Sequence, residues 1–353
     1  VFFIRDAMKF PDMVHSLKPS PVNNIQDPNR FFDFFSHNPS ATHMLTWVYS
    51  DFGTPANYRQ MDGFGVHAYK MINSQGNVHY VKFQWKSKQG INNLSAKQVK
   101  ETQGKDFQHM TRDLYDEINA GNFPQWDLYV KVIRPDQLDD FDYNLLDATK
   151  MWHDIEEVNV GTMTLNRMPK NFFQSTEQVA MAPANLIPGI EPSEDRLLQG
   201  RVFSYSDTQL YRLGANHQQL PINKPKVAVN NYNQEGAMNI GNTDLDVNYQ
   251  PNHAGVKEDT TAKHSQIKLK GYVQQAGIKK MQDFKQAGRL YRSFTKQQQD
   301  NLIKNLAGDL GAVKDSAVKH QMLSFFYRAD KGYGKRLTKA VDGDIKQVKM
   351  LSH

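Results

Sequence analysis

Polar and apolar positions change their period along this chain, and the changes mark out its parts. HMLTWVYS at 43–50 and GVHAYKMIN at 65–73 have the aromatic and β-branched composition of strands, and SQGN at 74–77 is turn chemistry. VHYVKFQWK at 78–86 alternates, placing Val81, Phe83 and Trp85 on one face, so it predicts the second strand of a hairpin with that face buried. WDLYVKVIRP at 126–135 predicts another strand closed by proline. Between them, 95–121 has helical character, with Ser95 as cap and Gly121 as stop. The opening VFFI has the look of the end of a buried strand, and a chain that starts at Val1 is expected to be a fragment.

From 136 to 275 proline, asparagine and glycine are frequent, which predicts a long ordered connection with short helices and no second sheet. The asparagine-rich stretch 216–252, with Tyr232 and Tyr249, is a candidate to wrap another subunit. Beyond 276 the period becomes helical. Thr295 is placed to cap a helix carrying Leu302, Ile303, Leu306 and Leu310, and Val318, Met322, Leu323 and Phe326 continue the spacing as packing surface. The chain therefore reads as α+β in three segments, 1–135, 136–275 and 276–353.

Composition narrows the partners. The 39% hydrophobic residues can supply a core, and the net charge of +6 is scattered with no basic run, which argues against nucleic-acid binding. With no cysteine, the chain has no disulfide, thiolate metal site or cysteine nucleophile. It also has no apolar run of membrane-spanning length.

Candidate chemistry concentrates in RVFSYSDTQLYR at 201–212. On a helix, Arg201 and Tyr205 share a face one turn apart, so the guanidinium can lie against the phenol. A free tyrosine ionises near about pH 10, and an adjacent cation or metal is what makes it an anionic ligand at neutral pH. Arg212, two turns beyond Tyr205, is spaced to reach a cofactor's carboxylates with its fork. Taken alone, an arginine four residues before a tyrosine is more often surface packing than an iron site.

The stretch resembles the proximal haem motif of the monofunctional haem catalases through Arg201, Phe203, Tyr205, Asp207 and Arg212. Tyrosine ligation of catalase haem is itself a standard example. The blocks at 1–16, 30–35, 62–70 and 178–200 are similar to the family in the same order, with the small-subunit bacterial type nearest. The resemblance implies the catalase fold: an antiparallel β-barrel whose first half precedes this sequence, a wrapping segment, a C-terminal helical domain, and a homotetramer.

The same resemblance implies residue roles. Tyr205 matches the axial ligand of ferric haem b, with Arg201 stabilising its phenolate and His67 and Asp195 linked to that arginine. Arg212 matches a propionate partner, and Phe2 and Phe10 match haem-pocket aromatics. Arg5 and Asp6 are read as a simple pair. His15, His37 and His43 lack the family's distal context, so the distal histidine is expected upstream and this fragment alone is expected to be inactive. The implied reaction is decomposition of hydrogen peroxide to water and oxygen, with no membrane or nucleic-acid partner, in the cytoplasm or alternatively the periplasm. Two other readings are a catalase-fold protein acting on organic hydroperoxides and a non-enzymatic oligomerisation remnant. Some small-subunit catalases carry peripheral NADPH. Asp62 and Lys86 agree with its expected positions, but Phe52 and MWHD at 151–154 depart, and His43 is read as a strand-edge histidine, so tight NADPH binding is not expected.

Overall fold

Both ends of the chain build one helical layer. The computed structural model describes residues 1–229, 231–232, 234–241, 245–255, 260–266 and 277–353. Helices α1 (Phe10–Leu17), α2 (Pro28–Ser36) and α3 (Thr42–Tyr49) come from the start. Beyond the sheet described below, α4 (Ala96–Lys105), α5 (His109–Asn119) and α6 (Arg196–Arg212) precede the terminal set α7 (Lys285–Ser293), α8 (Lys296–Gly311), α9 (Ser316–Ala329), α10 (Lys331–Ala340) and α11 (Ile345–Met350). Phe32, Phe35 and Leu45 of α2 and α3 share one buried cluster with Leu306, Leu323 and Phe326. Burial of each such side chain stabilises by roughly 1.5–3 kcal/mol. Polar contacts stitch the same seam, since Tyr49 donates its hydroxyl to Asp309 at 2.7 Å and Asn305 donates to the Tyr49 carbonyl at 3.1 Å.

The helix ends follow local rules. Thr295 and Ser95 each form a capping box with a glutamine three residues on, as their sequence spacing requires. Gly121 takes a positive φ of 86° after α5. The single helix expected over 95–121 is two, because the backbone turns extended at Asp106.

The sheet has six antiparallel strands: β1 (Gly63–Phe64), β2 (Tyr69–Ile72), β3 (Val78–Ser87), β4 (Gln125–Ile133), β5 (Glu157–Thr164) and β6 (Ile190–Pro192). Its order is β5-β4-β3-β2-β6, with β1 also on β3, and among the described residues it does not close. The predicted hairpin is present, with Tyr69 opposite Val81 and Ile72 opposite Val78. Two strands, β5 and β6, come from the stretch expected to be connecting, and they extend this sheet instead of forming a second one.

Three expectations are corrected. HMLTWVYS is helix α3, with its apolar Leu45 in the shared helical core and its polar His43 and Thr46 buried alongside. Tertiary packing overrides the strand propensity of its aromatic and β-branched residues. VFFI forms no strand; its backbone is irregular, with Ile4 buried and the Phe2 amide donating to the Ala148 carbonyl. On β3 the face expected to be buried is so only at Val81, with Phe83 and Trp85 half-buried, while Tyr80 and Lys82 on the opposite face are buried. The segment around Tyr143, Leu145 and Trp152 folds over that second face and covers it.

Candidate functional site

Helix α6 starts at Asp195 for a local reason. The Asp195 Oδ1 accepts the backbone N–H groups of Leu197 and Leu198 at 2.9 and 3.1 Å, satisfying donors that a helix start leaves free. Its other oxygen, Oδ2, lies 2.6 Å from Nδ1 of His67, immediately before β2. Asp195 is 1% exposed and His67 3%, so this pair is sealed from water. Ser193 locks the approach, donating its hydroxyl to the Ala68 carbonyl at 2.5 Å and accepting the Asp195 amide at 3.3 Å.

Arg201, on the second turn of α6, spans from sheet to helix. Its Nη1 lies 2.8 Å from His67 Nε2, and its Nη2 donates to the Tyr205 phenol oxygen at 2.6 Å. The donors run in one consistent direction. If His67 Nδ1–H donates to Asp195, Nε2 is left as an acceptor for Arg201, whose other arm donates to Tyr205. This arrangement places a positive charge, backed by a buried carboxylate, beside a partly exposed phenol.

Gly200 sets how closely the neighbouring segment approaches. A Cβ built there would lie 2.2 Å from the Cβ of Ala7, so only glycine lets α6 seat against the short helix Ala7–Lys9. That segment carries the aromatics at 2 and 10, whose rings stack with centroids 6.4 Å apart, and Phe10 is exposed. An apolar surface therefore flanks the helix that presents Tyr205.

The structure thus brings Asp195, His67, Arg201 and Tyr205 into one string, and it sets Phe2 and Phe10 on a segment packed on the same helix. Arg212 is differently engaged: it donates to the carbonyls of Glu177 and Val179 at 3.1 and 2.7 Å and to the Gln209 side chain. Arg5 and Asp6 do not pair. Arg5 reaches Asp147 at 2.8 Å and also Asp283, while Asp6 caps the backbone N–H of Met8. A charge with two carboxylates in reach from distant segments outcompetes its sequence neighbour, whose short side chain is held by its own turn. Sequence reading missed Ser193 and Gly200; EPSEDRLLQG contains both, but only tertiary contact gives them a task.

Comparison with known proteins gives the following. The family model described as Catalase matches residues 1–256, and one described as Catalase-related immune-responsive matches residues 277–341. A catalase of Vibrio parahaemolyticus is 64% identical over 351 residues, covering 99% of this chain and 70% of that protein. A catalase of Pseudomonas aeruginosa is 55% identical over 352 residues, covering 99% of this chain and 68% of the other. Among solved structures, a fungal catalase superposes with a TM-score of 0.90 at 33% identity, over 97% of this chain and 71% of that one. A bacterial catalase gives 0.88 at 32% identity, over 96% and 71%.

Proposed function

The chain belongs to the catalase family and its reaction is decomposition of hydrogen peroxide to water and oxygen; from that premise we propose that Tyr205 would be the protein ligand of a ferric haem b, its oxygen charge-paired with Arg201. The family's cofactor is haem. The observation that carries the proposal is the string from Asp195 through His67 and Arg201 to the phenol oxygen.

The donor set fits the group. A phenolate is a hard, anionic oxygen suited to ferric iron, and among the described residues its oxygen accepts from Arg201. Haem, when bound, supplies the redox chemistry by which one peroxide is reduced and a second oxidised. The chain's own residues do the rest. Tyr205 would hold the iron, Arg201 would give its oxygen a charge-assisted hydrogen bond, and His67 with Asp195 would fix the plane of the guanidinium. Phe2 and Phe10 offer apolar surface to a porphyrin face. Arg212 is the proposed partner of a propionate, exchanging its carbonyl contacts for a carboxylate.

A homotetramer in which the connecting segment wraps a neighbouring subunit, and a cytoplasmic location, go with this reading. Parts of that segment lie outside the described residues; among those described, no helix is long and apolar enough to cross a membrane. The decisive experiment is Tyr205→Phe in the haem-loaded full-length protein. Loss of the phenolate-to-iron charge-transfer band together with oxygen release is expected; an unchanged spectrum and rate would remove Tyr205 from the iron.

A further inference from the structure

Four lysines converge beside Trp152 on one face of the sheet. Lys82, Lys131 and Lys150 line a cleft with Tyr129, Trp152 and Glu157, and Lys86 lies at its edge with Nζ 4.3 Å above the Tyr129 ring. Such a cluster next to aromatic rings is the chemistry that holds a nucleotide's phosphates and base. Here each ammonium already has an acceptor within the chain. Glu157 takes Lys86 and, at 3.3 Å, Lys131, because β4 pairs Lys131 directly opposite Glu157 of β5. Lys82 donates to the Lys150 carbonyl at 3.1 Å, and Lys150 donates to Thr149 Oγ1 at 2.8 Å with Asp147 3.6 Å away.

Space and neighbours agree. The cavity measures about 40 Å³, room for one or two waters, whereas small-molecule sites run to roughly 300–1,000 Å³. Asp62 accepts the Ser87 amide at 2.8 Å, and Phe52 packs on Trp47 and Phe294 with centroids 5.2 and 6.2 Å away. Both ring nitrogens of His43 are used, on the Thr149 carbonyl and the Trp47 indole. Burial pushes the Glu157 carboxyl upward, but hydrogen bonds from Lys86 and Lys131 more than reverse this and hold it below its ordinary value.

We infer that this cleft is closed to phosphate ligands, NADPH included, because Glu157 occupies on Lys86 and Lys131 the place that a ligand's phosphate would take. The chain thereby parts from relatives that carry the peripheral dinucleotide. The inference is independent of the iron ligand, since its test reads binding and not turnover.

The test is a fluorescence titration of the full haem-loaded chain with NADPH, repeated by calorimetry with inorganic pyrophosphate. The wild type is expected to show no saturable binding. Glu157→Gln, which takes the carboxylate away from both lysines while Lys131 keeps its bond to the Trp152 carbonyl at 2.5 Å, is expected to gain roughly tenfold or more in affinity for either probe, and Glu157→Gln with Lys86→Ala to lose that gain. Stoichiometric NADPH binding by the wild type overturns the inference without reference to any variant. So does Glu157→Gln binding no better than wild type.

Discussion

The guanidinium of Arg201 donates to the phenol oxygen of Tyr205 across 2.6 Å, one turn along α6. The same guanidinium reaches His67 with its other arm at 2.8 Å, so its charge is aimed by two partners at once. Arg201→Ala is expected to leave haem bound, to shift the iron charge-transfer band toward weaker phenolate character, and to slow oxygen release by about tenfold or more, the worth of one charge-assisted hydrogen bond. Arg201→Lys is expected to restore only part of this, since an ammonium lacks the fork that spans both partners. An unchanged spectrum and rate in Arg201→Ala would separate the arginine from the iron.

Asp195 has two tasks that two substitutions can separate. Asn at 195 keeps an oxygen for the Leu197 and Leu198 amides but turns a donor toward His67 Nδ1, forcing the other tautomer and setting an N–H against Arg201. Asp195→Asn should therefore hold stability within about 1 kcal/mol while altering the Tyr205 spectrum. Asp195→Ala removes the cap and strands a buried imidazole N–H, at a cost of about 2–4 kcal/mol. Urea unfolding of both variants checks this, and equal losses would show that the cap contributes nothing and that the carboxylate's contact with His67 carries the whole effect.

Much of this site could be read from residue order, because a helix fixes the Arg201–Tyr205 spacing whatever surrounds it. The link to His67 and Asp195 came from family resemblance, since 128 residues separate the two and no local rule joins them. The hairpin and the capped α8 were legible because period and cap lie within one segment. HMLTWVYS was misread for the opposite reason: its composition suits a strand, and only the α7 and α8 surfaces that cover it make it a helix. Arg5 shows the same limit, its partners Asp147 and Asp283 being supplied by distant loops.

Gly200 offers a test of how closely α6 must sit. The 2.2 Å approach of an added Cβ to Ala7 cannot be relieved by rotating a side chain, so Gly200→Ala must move the Ala7–Lys9 helix or α6 itself. Overpacking of this kind costs about 1–3 kcal/mol. The expected result is a lower Tm and weaker haem retention, with Gly200→Ala/Ala7→Gly recovering much of both. Failure of that second change to rescue would show that the contact is not the constraint.

Lys82 is buried under the 143–152 segment, with Nζ 5.4 Å from the Trp152 ring centroid. Burial lowers its pKa to about 8. A lysine depressed below its unfolded value of about 10.4 costs stability progressively as pH falls through that window, and the full penalty persists below pH 8, on the order of 3 kcal/mol. Lys82→Met should therefore stabilise near neutral pH by about 1–2 kcal/mol after the loss of its bond to the Lys150 carbonyl. The gain should vanish toward pH 10. A destabilised variant at pH 7 would mean that the carbonyl bond outweighs the buried charge.

His43 sets the acid limit. Its Nδ1 lies 3.0 Å from the Thr149 carbonyl and its Nε2 accepts the Trp47 indole N–H at 3.1 Å, a pairing that only the neutral ring with its proton on Nδ1 can make. Burial pulls its pKa down to about 3, with the Thr149 carbonyl opposing and nearby positive charge, Lys150 included, adding to the fall. The sign follows: the unfolded chain binds a proton near about pH 6.5 that the folded chain refuses, so this contribution is complete above that pH and shrinks as pH drops toward 3. Each unit in that window removes about 1.4 kcal/mol, so about 2.7 kcal/mol is gone by roughly pH 4.5. His43→Gln should be less stable than wild type at pH 7, having weaker contacts to Trp47 and Thr149, yet lose less on acidification. Urea unfolding between about pH 7 and pH 4.5 decides it. Parallel pH slopes for the two proteins would move the acid sensitivity to another buried group.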